Sequence, residues 1–307
     1  MPSLIEETIA ELGDSNQLLL SAKLAELSNL NSEELGFFEQ VWATIEPKRQ
    51  QQIVSRLVEL AEDNFILDFD SIFKHCLGDQ DVEVRSKAIE GLWENEEPSL
   101  IDPLVELLEQ DSSEKVQAAA ATALGKFAML AEHNKLRPSR ASKVCQALLA
   151  VLADKSKPLE VKCRALEAAA PISLPQVGGT ITEAYHSGNY KFRVSSIYAM
   201  GKNCNPVWLA ILVKELSNTD AEIRYEAAGA CGEMEEEEAA PHLIRLINDP
   251  DTEVQLAAIR ALGKIGSNEA KNCLEKCLDN PSEAIQQAAE QALYEMEIEG
   301  EPLSFSV

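Results

Sequence analysis

The stretch DPDTEVQLAAIRALGKIG, residues 249–266, decides the fold. Thirty-one residues earlier the chain reads NTDAEIRYEAAGACG, from Asn218 to Gly232, with the same succession of turn formers, charges and alanines. The β-branched or aromatic residue opening each such stretch serves as an anchor: Val84, Val116, Val161, Phe192, Ile223, Val254 and Ile285. Their spacings are 32, 45, 31, 31, 31 and 31, so a single insertion, around AEHNKLRPSRAS, interrupts a 31-residue period. Four residues after each anchor stands a small residue (Ala88, Ala120, Ala165, Ser196, Ala227, Ala258, Ala289). Seven after stands another (Gly91, Ala123, Ala168, Ala199, Ala230, Ala261, Ala292). Offsets 0, 4, 7 and 8 share one face of a helix, so small side chains there let a neighbouring helix approach closely. Offset 9 is Gly125, Gly201, Gly232 and Gly263 in four copies, which predicts a helix end in the left-handed region.

A second amphipathic stretch precedes each anchor helix, as in IDPLVELLEQ, VWLAILVKELS and AAPHLIRLIND. Asp, Asn and Pro punctuation between the two supplies N-caps and first-turn prolines. The unit is helix, turn, helix, and one unit cannot bury its own apolar face, so units must stack. The expected fold class is all-α, a right-handed α-solenoid of such repeats. Stepping back 31 residues from Val84 reaches Ile53, where the small residues are replaced by Leu57 and Leu60. Residues 1–78 are therefore expected to be degenerate capping repeats, residues 79–298 the regular array with an insertion near 131–143, and residues 299–307 a flexible tail. Ala239 is expected in a turn between helices.

Composition agrees. Of 307 residues, 45% are hydrophobic and only 5% aromatic, too few aromatics for a β-sandwich or barrel. The formal net charge of −25 argues against nucleic acid, whose binders cluster Lys and Arg against phosphates. Apolar runs are too short to span a bilayer, and the acidic start MPSLIEETIAELGD lacks a signal pattern, so no membrane partner and a cytoplasmic location are expected. Seven Cys without a CxxC indicate neither a disulfide framework nor a zinc module.

The string at 249–266 resembles the HEAT repeat, in the short variant of bilin-lyase-like proteins, through Asp249, Val254, Ala258, Leu262 and Gly263 with Pro241 in the preceding helix. Five or more units over about residues 79–297 fit the pattern. The resemblance implies that the anchor helices line a concave side. It also implies two functions: a non-enzymatic protein–protein scaffold or adaptor, or a bilin lyase or chaperone of the phycobilisome-lyase branch. HEAT-like hydroxylases of deoxyhypusine hold di-iron through His-Glu pairs, and none of His75, His133, His186 and His242 is followed by Glu. No HExxH, GxGxxG, P-loop or GxSxG occurs, so no catalytic residue, metal or cofactor is expected. The acidic run at Glu233 and Glu235–Glu238 reads as a solvated turn and helix start.

Two features point to a protein partner. Residues 131–202 carry 11 Lys and Arg against 5 Asp and Glu, a basic belt that includes Arg137, Arg140, Lys191 and Arg193 and that would suit a partner with an acidic surface. Offsets 2 and 6 lie away from the buried face, yet in three successive copies they read Val194 and Tyr198, Tyr225 and Gly229, Leu256 and Arg260. Tyr and Arg are frequent interface anchors, so Val194, Tyr198, Tyr225, Leu256 and Arg260 form the expected partner-binding patch, with Gly229 as a notch.

Overall fold

The computed structural model describes residues 4–14 and 17–300. Among these residues there are eighteen α-helices and no strand, an all-α solenoid architecture. Contacts divide the chain into two compact units, Met1–Ala131 with Leu136–Ala147, and Glu132–Lys135 with Leu148–Val307.

The first unit starts with α1 (Leu4–Glu11), α2 (Ser21–Ala25), α3 (Ser32–Trp42), α4 (Pro47–Asp63) and α5 (Asp70–Cys76). It continues with α6 (Val82–Gly91), α7 (Ile101–Gln110) and α8 (Glu114–Glu132), and α9 (Pro138–Ala153) begins in it. Asn31 starts α3 with a capping box: its side chain accepts from the Glu33 and Glu34 amides, and Glu34 accepts from the Asn31 amide. The core here is aromatic where the later repeats use alanine. Phe38, Trp42, Phe69 and Phe73 are buried, and Phe38 stacks on Trp42 at 5.3 Å. The expected insertion is helical over much of its length: it extends α8 and α9 around a left-handed Asn134 (φ 57°).

The second unit contains α10 (Leu159–Ala169), α11 (Pro175–His186), α12 (Tyr190–Asn203), α13 (Leu209–Glu215) and α14 (Ala221–Met234). After them come α15 (Ala240–Leu246), α16 (Thr252–Ile265), α17 (Asn268–Cys277) and α18 (Glu283–Gly300). Of the tail expected at 299–307, the last helix takes in residues 299 and 300 and the remainder lies outside the described residues. The anchor helices α10, α12, α14, α16 and α18 pack each on the next, and α12, α14, α16 and α18 each also pack on the helix before them. The anchors Val161, Ile223 and Val254 and the alanines at offset 4 are buried.

The offset-9 glycines do not end their helices. Gly201, Gly232 and Gly263 lie inside α12, α14 and α16, and the chain turns left-handed three residues later, at Cys204 (φ 49°), Glu235 (φ 54°) and Gly266 (φ 67°). Their role is contact. A Cβ on Gly201 would stand 2.6 Å from the Ala230 Cα, one on Gly232 2.7 Å from the Ala261 Cα, and one on Gly263 2.8 Å from the Ala292 Cβ. Offset 9 of one repeat thus meets offset 7 of the next, backbone against backbone.

The turns repeat as well. Asp81, Asp220 and Asp251 cap α6, α14 and α16 by accepting from the second and third amides of the helix. Two residues earlier, Asp79, Asn218 and Asp249 accept from the amide of that capping residue. One residue past the anchor, an Arg or Gln side chain ties the carbonyl of the same turn residue: Arg85 to Asp79, Arg224 to Asn218, Gln255 to Asp249 and Gln286 to Asn280. The arginines reach further. Arg224 grips both Asp249 oxygens of the following repeat at 2.7 and 2.8 Å, and Arg85 does the same to Asp111 at 2.7 and 2.9 Å. Burial opposes ionisation of Asp249, but the Arg224 hydrogen bonds outweigh it and hold the carboxyl below its ordinary value.

Ala239, expected in an open turn, is fully buried, because the turn winds into a 3-10 segment, Glu237–Ala239, that runs on into α15 and points its small side chain at the core.

Two outcomes follow from this packing. Gly232→Ala, although Ala favours helix, should lower stability by about 1–3 kcal/mol through overpacking. Gly229→Ala, in the same helix, has nothing within 4 Å of the new Cβ and should raise stability by about 0.5–1 kcal/mol. Urea midpoints moving in the same direction would contradict the close approach. Arg224→Ala should cost about 1–3 kcal/mol at neutral pH, because the largely buried Asp249 carboxylate keeps only the Asp251 amide as a donor. Because the folded pKa of Asp249 is depressed, this contribution is complete above its ordinary value of 3.8 and vanishes as pH falls through the lower folded value, so the gap to wild type should close in acid.

Candidate protein-binding groove

The 31-residue step sets α12, α14 and α16 side by side and aligns equivalent offsets across them. On the face away from the preceding helices they enclose a groove of about 300 Å³. Tyr198, Tyr225, Gly229 and Arg260 all line it, so four of the residues singled out in the sequence come together. Tyr198 is 40% exposed, Arg260 is exposed and Tyr225 is half-buried. A Cβ on Gly229 would meet nothing within 4 Å, so the groove is open above it. Neither phenol is hydrogen-bonded among the described residues.

Val194 and Leu256 are half-buried and stand outside the lining. At about 100° per residue, the centre of the groove stripe falls at offsets 3, 6 and 10, and offset 2 lies at its edge. Only a side chain as long as Tyr225 reaches in from there.

Offset 10 carries Lys202, Glu233 and Lys264 on the three helices. Glu233 accepts from Lys202 at 2.7 Å and from Lys264 at 2.5 Å, so one carboxylate bridges all three repeats. Burial raises its pKa, but the two lysines outweigh that and hold it below its ordinary value. The ammonium of Lys202 also sits 5.9 Å from the centre of the Tyr198 ring. Sequence reasoning missed this ladder, although the sign alternation at 31-residue spacing was present to be read.

Offset 3 contributes a second overlooked residue, Glu226. Its carboxyl is half-buried and in no hydrogen bond or ion pair among the described residues. Burial first, then the charges of Glu167 and Glu222, push its pKa up to about 7, with Arg164 only partly opposing them. Glu167, on α10, accepts from the Ser195 hydroxyl at 2.7 Å and from Arg164 at 2.6 Å.

The basic belt is largely neutralised within the fold. In the first unit, Arg140 and Lys143 both pair with Asp102, while Arg137 is exposed just before α9. In the second, Arg193 pairs with the buried Glu215 at 2.8 Å and lies over the Tyr185 ring, and the exposed Lys191 is 4.0 Å from Glu160. Among the described residues, no group of three or more His, Cys, Asp and Glu is placed to hold a metal ion, and no helix is long and apolar enough to cross a membrane.

Comparison with known proteins bears on the fold. No curated protein matches the chain. Among solved structures, an engineered protein is 23% identical over 64% of this chain and 96% of its own, with a TM-score of 0.41. YibA of Escherichia coli is 14% identical over 81% of this chain and 96% of its own (TM-score 0.46). Human deoxyhypusine hydroxylase in complex with glycerol is 17% identical over 96% of each chain (TM-score 0.33). The family model for HEAT repeats matches residues 70–168 and 209–294, more than half of the sequence, including the Asp-capped helices α6, α14 and α16. The chain belongs to the HEAT-repeat family.

Proposed function

We infer that the chain is a non-enzymatic protein-binding scaffold, and that the groove across α12, α14 and α16 receives a segment of its partner. One observation carries this reading: an open notch above Gly229 is bordered by two tyrosines and an arginine that make no hydrogen bond or ion pair among the described residues. Tyr and Arg dominate binding hot spots because they combine large contact area with a polar tip. A fold with no use for such groups at its surface tends to carry small or charged ones, as the earlier anchor helices do with Glu90 and Thr122 at the same offset. Val194 and Leu256 form the apolar shoulder beside the groove. Within the second unit, the pairing of Arg193 with Glu215 leaves the exposed Lys191 as a tuner of association rate. No observation favours the bilin-lyase alternative.

The test is affinity capture with wild type, Tyr198→Ala with Tyr225→Ala, and Gly229→Leu, which fills the notch. Ala210→Leu, at an exposed site on α13, is the control. Both groove variants should melt close to wild type and lose the same partner. For a hot spot the loss exceeds about 2 kcal/mol, roughly thirtyfold in affinity. A partner retained by both well-folded groove variants would place its site elsewhere.

A further inference from the structure

Two charged groups of the groove, Glu226 and Arg260, are in no ion pair or hydrogen bond among the described residues. Solvent treats them differently. Arg260 is exposed, whereas Glu226, on α14, is half-buried. Apart from the exposed Arg260, the cations of the helices around Glu226 are engaged: on α10, Arg164 donates to Glu160 and Glu167. On α12, Lys202 is held by Glu233, and Ser195 gives its proton to Glu167. On its own helix the neighbours are Tyr225 and Glu222, which accepts from Tyr190. On α16, Ala257 presents no charge, Lys264 is held by Glu233, and Arg260 lines the same groove but stands open to water. A half-buried carboxylate without a partner is unfavourable, and burial together with the nearby Glu167 and Glu222 charges raises its pKa to about 7.

Glu226 and Gly229 are three residues apart on one helix, so the carboxyl lies one turn from the notch, on the same face. We propose that the groove takes a cationic side chain, an arginine or lysine of the bound protein segment, which enters above Gly229 between Tyr198 and Tyr225 and pairs with the Glu226 carboxylate. This rests on the groove being the partner site. Charge complementarity supports it at two ranges. Close in, the entering cation supplies the missing counter-charge and meets two phenol faces, which attract cations. Further out, the net charge of −25, with 21 acids against 7 bases in residues 203–307, steers a cation inward. Arg260, across the notch and open to water, is left to a backbone carbonyl of the same segment.

The experiment is an NMR titration of the full isotope-labelled chain with a blocked Gly-Arg-Gly tripeptide, and with its citrulline counterpart, which keeps the shape and loses the charge. The arginine peptide should shift the Gly229 and Ala230 amides saturably, with the citrulline peptide at least fivefold weaker. Glu226→Gln should bring the arginine peptide down to the citrulline level, and Gly229→Leu should abolish both. Raising the pH from 6 to 8 should tighten arginine binding about tenfold in wild type, as a carboxyl titrating near 7 ionises, and leave Glu226→Gln unchanged. Equal binding of the two peptides, or arginine binding that is indifferent to Glu226→Gln, overturns the proposal. The wider reading fails separately. A natural partner lost to Gly229→Leu but kept by Glu226→Gln leaves the groove as the site and removes the cation from it. A partner kept by Gly229→Leu removes the groove itself.

Discussion

Backbone-to-backbone approach of successive anchor helices is the constraint on which the second unit depends. Gly201 against Ala230, Gly232 against Ala261 and Gly263 against Ala292 leave no room for a single added carbon. Helices that touch through side chains sit 8–10 Å apart; contacts of glycine on alanine set them at the close end. That distance is reproduced at each step because the same two offsets meet each time. Gly inside a helix is unfavourable by about 0.5–1 kcal/mol relative to Ala, so its recurrence at three positions marks a contact that gains more than the helix loses.

Close approach decides what remains for the surface. With offsets 4, 7 and 9 used up in contact, offsets 3, 6 and 10 are left to face the groove, and residues of any size fit there. The arginine clamps act at the other end of the helices. Arg224 on Asp249 ties one repeat's turn to the next through a nearly buried, two-pronged pair, so the register of the helices is fixed at their N-terminal ends by charge and along their length by shape.

The period was legible because a 31-residue spacing of anchors and small residues has one physical explanation, stacking. The glycines were read as caps because a glycine late in an amphipathic stretch is the same letter whether it ends a helix or lies under its neighbour; only the next repeat's alanine distinguishes the two. The true ends at Cys204 and Glu235 were not legible, since side chains rarely adopt positive φ. In the groove, Tyr198, Tyr225, Gly229 and Arg260 could be found from offsets alone. Val194 and Leu256 could not be told from Tyr225, because reach, not position, separates them. Glu226 escaped notice since a Glu on a helix reads as solvated, and the half-burial that raises its pKa is not written in its own sequence neighbours.

Glu233 has a mechanical consequence. It is the shared end of two straps, to Lys202 and to Lys264, laid across the mouth of the groove. Prising α12 and α16 apart stretches both at once, so the straps act as a spring with its midpoint on α14. Each is a partly exposed ion pair, weak singly and screened by salt. Salt around the groove therefore loosens the straps, while the glycine-on-alanine contacts beneath, which carry no charge, keep the helices in place.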